Sequence, residues 1–270
     1  MRHRIITFRL TLNAVLLAGM ALAWLMSVPA FAASDGTAGK SLAPRSAQSM
    51  PDEEFNRRVR EFLLNNPEII AEAMDRLQAR EREVRQRAAQ TVIKEQADEL
   101  LRDPDSPVGG NTKGNVTLVE FFDYNCPYCK RVVPTMTKLM ADDPQLRVAY
   151  KEYPILGANS VLAAKAALAA RRQDKYVVFH EQLMKRKGRV DEKIILSAAA
   201  KVGLDIDRLK KDMKAPEIAA AIEKNFKLAR ALGINGTPGF VIGDQIIPGA
   251  VDLRALKASV EQAREKQPKK

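Results

Sequence analysis

The chemistry of this 270-residue chain concentrates in its two cysteines, which lie in the motif Cys126-Pro127-Tyr128-Cys129. The apolar run from Val116 to Phe122 precedes the motif and predicts a buried strand, and the motif itself opens a predicted helix. The positive end of a helix stabilises a thiolate on the first cysteine. The second cysteine, one turn later, can close a disulfide or displace a mixed-disulfide partner. The spacing therefore predicts a site for thiol–disulfide exchange.

Metal binding is the main alternative for this pair. A structural zinc site needs four ligands, and the chain offers only His3 and His180 besides the cysteines. Two thiolates could instead hold Cu(I), which favours soft sulfur ligands, so possible Cu(I) binding stays open. Four methionines, which are scattered in the sequence, are interpreted as core fillers: Met136, Met140, Met184 and Met213. We expect no resident metal and no organic cofactor.

The N-terminus has the pattern of a secretory signal. Arg2, Arg4 and Arg9 form a basic start, an apolar stretch follows, and Ala30-Phe31-Ala32 matches the small-x-small cleavage rule. We predict a cleaved signal peptide at residues 1–32; the alternative is an uncleaved membrane anchor. Export places the cysteine pair in an oxidising compartment, where it can cycle through a disulfide.

The distribution of charge along the chain argues against nucleic-acid binding. The formal charge is +11, but the excess is spread along helical segments and is not interleaved with aromatic residues. This pattern is typical of a solvated basic surface and not of a nucleic-acid-binding protein.

The segment after the signal peptide divides into a flexible linker, residues 33–50, and a helical stretch, residues 51–101. Asn66 and Pro67 predict the start of a second helix that runs towards Leu101. Apolar residues form a thin stripe that a partner surface would cover, so we interpret residues 51–101 as an oligomerisation segment; the alternative is a solvated helix packed on its own domain. Deletion up to Leu101 is expected to leave a folded monomer. The stripe comprises Phe55, Val59, Phe62, Leu63, Ile70, Met74 and Leu77.

Residues 102–114, rich in proline and glycine, are predicted to be a second linker before a domain at residues 115–265. The domain pattern is β-α-β with parallel strands, a helical insert at about 157–232, then β-β-α. Gly243-Asp244 predicts a hairpin turn, and Asp252 predicts the cap of the last helix. Residues 266–270 form a basic tail.

Three motifs of this domain resemble the DsbA-like branch of the thioredoxin superfamily, which carries a helical domain inserted into a thioredoxin fold. They are the segments 121–129, 153–157 and 236–240. With the helical stretch at 55–68, the chain is similar to the suppressor-of-copper-sensitivity protein C group. The resemblance implies a periplasmic protein that acts on exported proteins, works with a membrane thiol–disulfide redox partner and forms a homo-oligomer, with a trimer favoured.

The resemblance also implies roles for individual residues. Cys126 would be the exposed nucleophile and Cys129 the buried resolving thiol, with Pro127 and Tyr128 tuning the thiolate. The Thr237-Pro238 pair matches a cis-proline loop that binds substrate backbone. Glu120 matches a buried acid that relays a proton; its alternative is a surface strand residue.

The sequence is compatible with two functions. The first is a thiol–disulfide oxidoreductase, with isomerase or reductase favoured over oxidase, because Tyr128 cannot supply the imidazolium charge found in many strongly oxidising relatives. The second is a copper-sequestering or client-binding protein that uses the cysteine pair as a soft-metal site.

Overall fold

The computed structural model describes residues 50–267 of the chain. The predicted signal peptide, residues 33–49 of the predicted linker, and residues 268–270 of the predicted tail lie outside the described residues. Within the described residues no helix combines the length and apolar character needed to cross a membrane.

The N-terminal stretch is helical, as predicted, but its helices end at other residues than expected. It forms α1 (Asp52–Asn65), α2 (Glu68–Glu95) and α3 (Ala97–Leu101). Asn66 was expected to cap α2; instead its side-chain amide donates to the Phe62 carbonyl at 2.7 Å and closes the end of α1. Gln96, with a φ of −107°, interrupts the helix that was expected to continue to Leu101.

Five strands lie at the centre of the domain: β1 (Val108–Gly110), β2 (Val116–Phe122), β3 (Leu146–Glu152), β4 (Gly239–Ile242) and β5 (Gln245–Pro248). They form a mixed sheet in the order β1-β3-β2-β4-β5. Strands β2 and β3 are parallel, as predicted, and the other neighbours are antiparallel. The helix α4 (Pro127–Asp142) connects β2 to β3.

The helical insert follows β3 and returns to β4, in agreement with the predicted range. It comprises α5 (Ala158–Arg171), α6 (Tyr176–Met184), α7 (Glu192–Lys201), α8 (Ile206–Asp212) and α9 (Pro216–Ala231). The chain then turns at Gly243-Asp244 between β4 and β5, as expected for a hairpin. The last helix is α10 (Leu253–Glu265), where the Asp252 side chain accepts a hydrogen bond from the Ala255 amide.

Residues 102–114 are not a linker, because they contribute a strand and buried polar groups to the domain. Strand β1 pairs with β3, and Gly109 lies so close to Tyr150 that a Cβ there would meet the phenol oxygen at 2.8 Å. Asp103 and Ser106 are buried. The proline- and glycine-rich composition thus serves close packing at the sheet edge.

One face of the sheet, called the second face below, packs against the C-terminal end of α2 and against α3. Ile93 of α2 and Leu100 of α3 are buried against residues of β2, β3, β4 and α9. Beside them the fully buried Lys151 ammonium donates to the Glu99 carbonyl at 2.6 Å and to Asp103 Oδ2 at 3.2 Å. The expected domain start at residue 115 is therefore wrong: the domain core begins near residue 92.

Candidate active site

Cys126 lies at the N-terminus of α4, where Pro127 occupies the first helical position. Its Sγ lies 3.1 Å from the Thr237 carbonyl oxygen, to which the thiol donates when it is protonated. The side chain is only 4% exposed, so the expectation of an exposed nucleophile is wrong. The Thr237 loop, 111 positions further along the chain, covers the sulfur from one side. A substrate disulfide must therefore approach in the narrow space that this loop leaves.

The two thiols differ in acidity because their surroundings differ. Hydrogen bonds from the Cys129 thiol, the Thr237 side chain and the amides of Cys129 and Tyr128 lower the pKa of Cys126 to about 5, against the opposing effect of burial. Cys129 is fully buried, and burial together with the neighbouring Cys126 and Glu120 raises the pKa of its thiol. Near neutral pH Cys126 is a thiolate and Cys129 a thiol, which is the division needed for attack and later resolution.

The Thr237–Pro238 peptide bond is cis, as predicted, and the structure brings this loop against the cysteine pair. The Pro238 carbonyl accepts a hydrogen bond from the Gly249 amide at 2.8 Å, which fixes the loop to the end of β5. The loop and the N-terminus of α4 together form the two walls of the site.

Glu120 lies on β2 and is 3% exposed, so the surface alternative is wrong. Burial raises the pKa of its carboxyl to about 8. The side chain lines a cavity of about 320 Å³. Tyr150, His180 and three of the methionines that were interpreted as core fillers share this cavity: Met136, Met140 and Met184. Glu120 is therefore a buried acid that can exchange a proton near neutral pH, and its charge acts on Cys129.

Asp123 and Asn125 hold the cysteine loop, and our sequence analysis assigned them no role. The Asp123 carboxylate accepts from the Asn125 amide at 2.7 Å and from the Leu156 amide at 2.9 Å. Asn125 Oδ1 accepts from the Val190 amide at 2.6 Å. The loops that follow β2, β3 and α6 are thereby tied together. An aspartate two residues before a turn is a local signal that could have identified Asp123.

A second buried acid, Glu152, lies behind the cysteine loop and was also missed. It accepts hydrogen bonds from the Tyr124 hydroxyl at 3.0 Å and the Tyr176 hydroxyl at 2.7 Å. Burial raises the pKa of Glu152 well above its usual value and lowers the pKa of His180, next to Tyr124, to about 3. His180 is thus uncharged. The partners come from different elements, so no local pattern in the sequence indicates this cluster.

Pro127 and Tyr128 are exposed at the mouth of the site. The Tyr128 ring is 52% exposed, and the Arg131 guanidinium lies 4.9 Å from its centroid. The structure therefore places all seven predicted site residues within one region, either at the mouth or behind the thiols.

Comparison with known proteins agrees with this geometry. The DSBA-like thioredoxin domain pattern matches residues 117–261, and the copper resistance protein ScsC N-terminal domain pattern matches residues 53–83. A thioredoxin-like oxidoreductase from Silicibacter pomeroyi DSS-3 is 49% identical, with a TM-score of 0.62 over 63% of this chain and 98% of that one. The catalytic domain of Proteus mirabilis ScsC is 34% identical, with a TM-score of 0.60 over 66% of this chain and 99% of that one.

Curated relatives include proteins of different overall length. Disulfide bond formation protein D of Bacillus subtilis (strain 168) is 27% identical over 168 residues, which are 58% of this chain and 76% of that protein. Na(+)/H(+) antiporter NhaA 1 of Salinispora arenicola (strain CNS-205) is 29% identical over 164 residues, or 60% of this chain. The chain spans 25% of the length of that antiporter. With the fold, the cysteine site and the match over residues 117–261 in agreement, the chain belongs to the DSBA-like thioredoxin domain family, whose fold here follows an N-terminal helical segment of ScsC type.

Proposed function

We propose that the protein is a periplasmic thiol–disulfide oxidoreductase that exchanges the disulfides of exported proteins, as an isomerase or reductase more than as an oxidase. The observation that carries the proposal is the opposite shift of the two thiol pKa values, with Cys126 at about 5 and Cys129 raised. A site with one thiolate and one protonated thiol is prepared for nucleophilic attack on a disulfide.

In the first step the Cys126 thiolate attacks one sulfur of a substrate disulfide. The Cys126–substrate S–S bond forms, the substrate S–S bond breaks, and the second substrate sulfur leaves as a thiolate. In isomerisation another substrate thiolate then displaces Cys126, and the enzyme returns in its reduced form. In reduction Cys129 displaces the substrate, which leaves with two thiols while the enzyme becomes a disulfide. A membrane thiol–disulfide redox partner would then return two electrons to the enzyme.

Glu120 is proposed to accept the Cys129 proton in the reductive branch. A carboxyl with a pKa of about 8 is partly ionised near neutral pH, and this ionised form, whose charge raises the pKa of the Cys129 thiol, can take up the proton. Thr237 and Pro238 are proposed to align the backbone of the substrate, since their loop forms the wall opposite the helix N-terminus.

The preference for isomerisation rests on the residues at the site and on the N-terminal helices. Tyr128 brings no positive charge to the thiolate. The described helices also expose an apolar row in which Phe55 and Phe62 are each 55% exposed. On α2 the residues Ile70, Met74, Leu77 and Val84 follow heptad spacing, interrupted by Glu81. We propose that this row joins several copies, with a trimer favoured, so that two or more sites engage one client at high effective concentration.

Two measurements test the proposal. Acid quenching and alkylation of periplasmic extracts report the redox state of the pair: a dithiol agrees with isomerase or reductase, and a disulfide contradicts that preference in favour of oxidase. Refolding of a scrambled disulfide protein then measures isomerase activity. Cys126→Ser should abolish this activity and Cys129→Ser should accumulate the mixed disulfide; retained activity in Cys126→Ser would remove the proposed nucleophile.

A further inference from the structure

A group of cations surrounds one side of the Cys126 site. Helix α6 is followed by the segment Lys185-Arg186-Lys187-Gly188-Arg189, whose residues are all exposed. We call Lys130, Arg131, Arg186, Lys187 and Arg189 the basic rim.

Three hydrogen bonds fix this segment against the active site. The Lys130 ammonium, one position after Cys129, donates to the Gly188 carbonyl. Asn125, one position before Cys126, bonds both backbone groups of Val190: its Oδ1 accepts from the amide at 2.6 Å and its Nδ2 donates to the carbonyl at 3.2 Å. The two residues that flank the motif thus hold the C-terminal part of the segment, at Gly188 and Val190. The rim therefore cannot move away from the thiol without breaking these contacts.

The charges of the rim are available to a ligand. Among the side chains between residues 50 and 267, none forms an ion pair with Arg186, Lys187 or Arg189, whereas Lys185 pairs with Glu181 at 2.8 Å. Of the acids that follow, Asp191 is engaged in capping α7 and Glu192 begins that helix. Burial lowers the pKa of Lys130, and the charges of Asp123, Arg186 and Cys126 also act on it, which agrees with rim and thiol lying within electrostatic reach of each other.

The other walls of the site carry no such charge. The cis-proline loop presents Asn235, Gly236 and Thr237, and the loop after β3 presents the exposed Leu156. The field at the mouth is therefore one-sided. Fixed cations beside a partly enclosed site raise the local concentration of anionic groups and the rate of their encounter.

We propose that the basic rim recognises client polypeptides whose disulfide cysteine is flanked by aspartate or glutamate. The proposal rests on the proposed oxidoreductase function, since the rim would act by holding such a segment while Cys126 attacks its disulfide. It adds a substrate class to that function: among exposed disulfides, those in acidic segments react first.

The test uses the reduced mature protein and two synthetic peptides that differ only beside their single cysteine, with aspartates in one and lysines in the other. Each peptide is supplied as its mixed disulfide with thionitrobenzoate. The Cys126 thiolate attacks the peptide sulfur, forms the Cys126–peptide disulfide and releases coloured thionitrobenzoate; Cys129 then displaces the peptide thiol and closes the enzyme disulfide. The leaving group is common to both peptides, so the ratio of the two rate constants isolates the effect of the flanking charge.

We expect the acidic peptide to react about tenfold faster than the lysine peptide at low ionic strength. The ratio of the two rate constants should fall several-fold in about 0.5 M salt. In the variant Arg186→Gln/Lys187→Gln/Arg189→Gln, the acidic peptide should react at most about twofold faster than the lysine peptide. The matched control is Lys210→Gln/Lys211→Gln/Lys214→Gln, which removes three exposed cations at the end of α8, a helix that packs on α5 and α7. This control should keep the wild-type ratio.

The outcomes that would contradict these expectations distinguish the rim proposal from the proposed oxidoreductase function. A ratio near one that does not depend on salt, or a ratio that the rim variant leaves unchanged, overturns the rim proposal while the oxidoreductase function stands. Failure of both peptides to release thionitrobenzoate overturns the proposed function itself. Because any change in Cys126 reactivity affects both peptides alike, the ratio still reports on recognition in a variant whose thiol has changed.

Discussion

The N-terminal boundary of the domain predicts different stabilities for two truncated proteins whose first residues lie eleven positions apart. One protein begins at Thr91 and keeps Ile93 and Leu100; the other begins at Arg102 and lacks both. We expect the first to fold as a monomer and the second to be severely destabilised. The reason is that both apolar side chains lie in the core on the second face of the sheet, where Leu100 is fully buried.

The expected loss follows from these contacts. Burial of each of the two side chains contributes about 1.5–3 kcal/mol. The Lys151 ammonium also loses the Glu99 carbonyl that it contacts at 2.6 Å, and an unsatisfied buried group costs about 1–3 kcal/mol or more when charged. The total of about 4–9 kcal/mol is comparable with the whole stability of many domains, about 5–15 kcal/mol.

Urea unfolding followed by far-ultraviolet circular dichroism gives the free energy of unfolding of both proteins. Should the shorter protein aggregate, Leu100→Ala within the Thr91 protein provides the same test, with an expected loss of about 2–5 kcal/mol. Equal unfolding midpoints and equal slopes for the two truncations would refute the assignment of α3 to the domain core. The monomer that begins at Thr91, and not one that begins at Arg102, is then the protein in which to test whether isomerase activity depends on the N-terminal helices.

Two further predictions concern the pH dependence of stability in the reduced protein. Because the folded pKa of Cys126 is depressed to about 5, its contribution to stability is full above the unfolded pKa and is lost as pH falls towards 5. Relative to Cys126→Ser, the wild type should therefore gain about 2 kcal/mol between pH 5 and 7 in urea unfolding, and parallel curves would contradict this. Because the folded pKa of Glu120 is raised to about 8, the ionisation of this carboxyl opposes folding as pH rises. Glu120→Gln should therefore be more stable than wild type by about 3 kcal/mol at pH 7 and about equal to it at pH 4. A difference in stability that does not change with pH would contradict a buried titrating acid.

Features with a local cause could be predicted from the sequence. The periodic apolar residues, the hairpin at Gly243-Asp244 and the cap at Asp252 depend on neighbouring residues, and the structure contains all of them. The cysteine motif at a helix N-terminus is local as well. The cis-proline loop was identified by resemblance to known sequences and not by local physics.

Features that depend on distant contacts could not be predicted. Strand β1 has three residues, two of them glycine, so its pairing with β3 has no periodic signal. The low exposure of Cys126 depends on Thr237, and the partners of Glu152 come from other elements. Residues 103–106 form a polar loop that holds the buried Lys151 ammonium, but their composition is that of a linker. In each case tertiary packing overrides the local pattern.

The central claim is that Cys126 is a thiolate at neutral pH while Cys129 is not. Its most direct test is the rate of alkylation by iodoacetamide against pH, measured on Cys129→Ser, in which a hydroxyl can still donate to the Cys126 sulfur. We expect an inflection at a pKa of about 5 and, as a control, almost no alkylation of Cys129 in native Cys126→Ser. An inflection at or above the free-cysteine value of about 8.5 would contradict it.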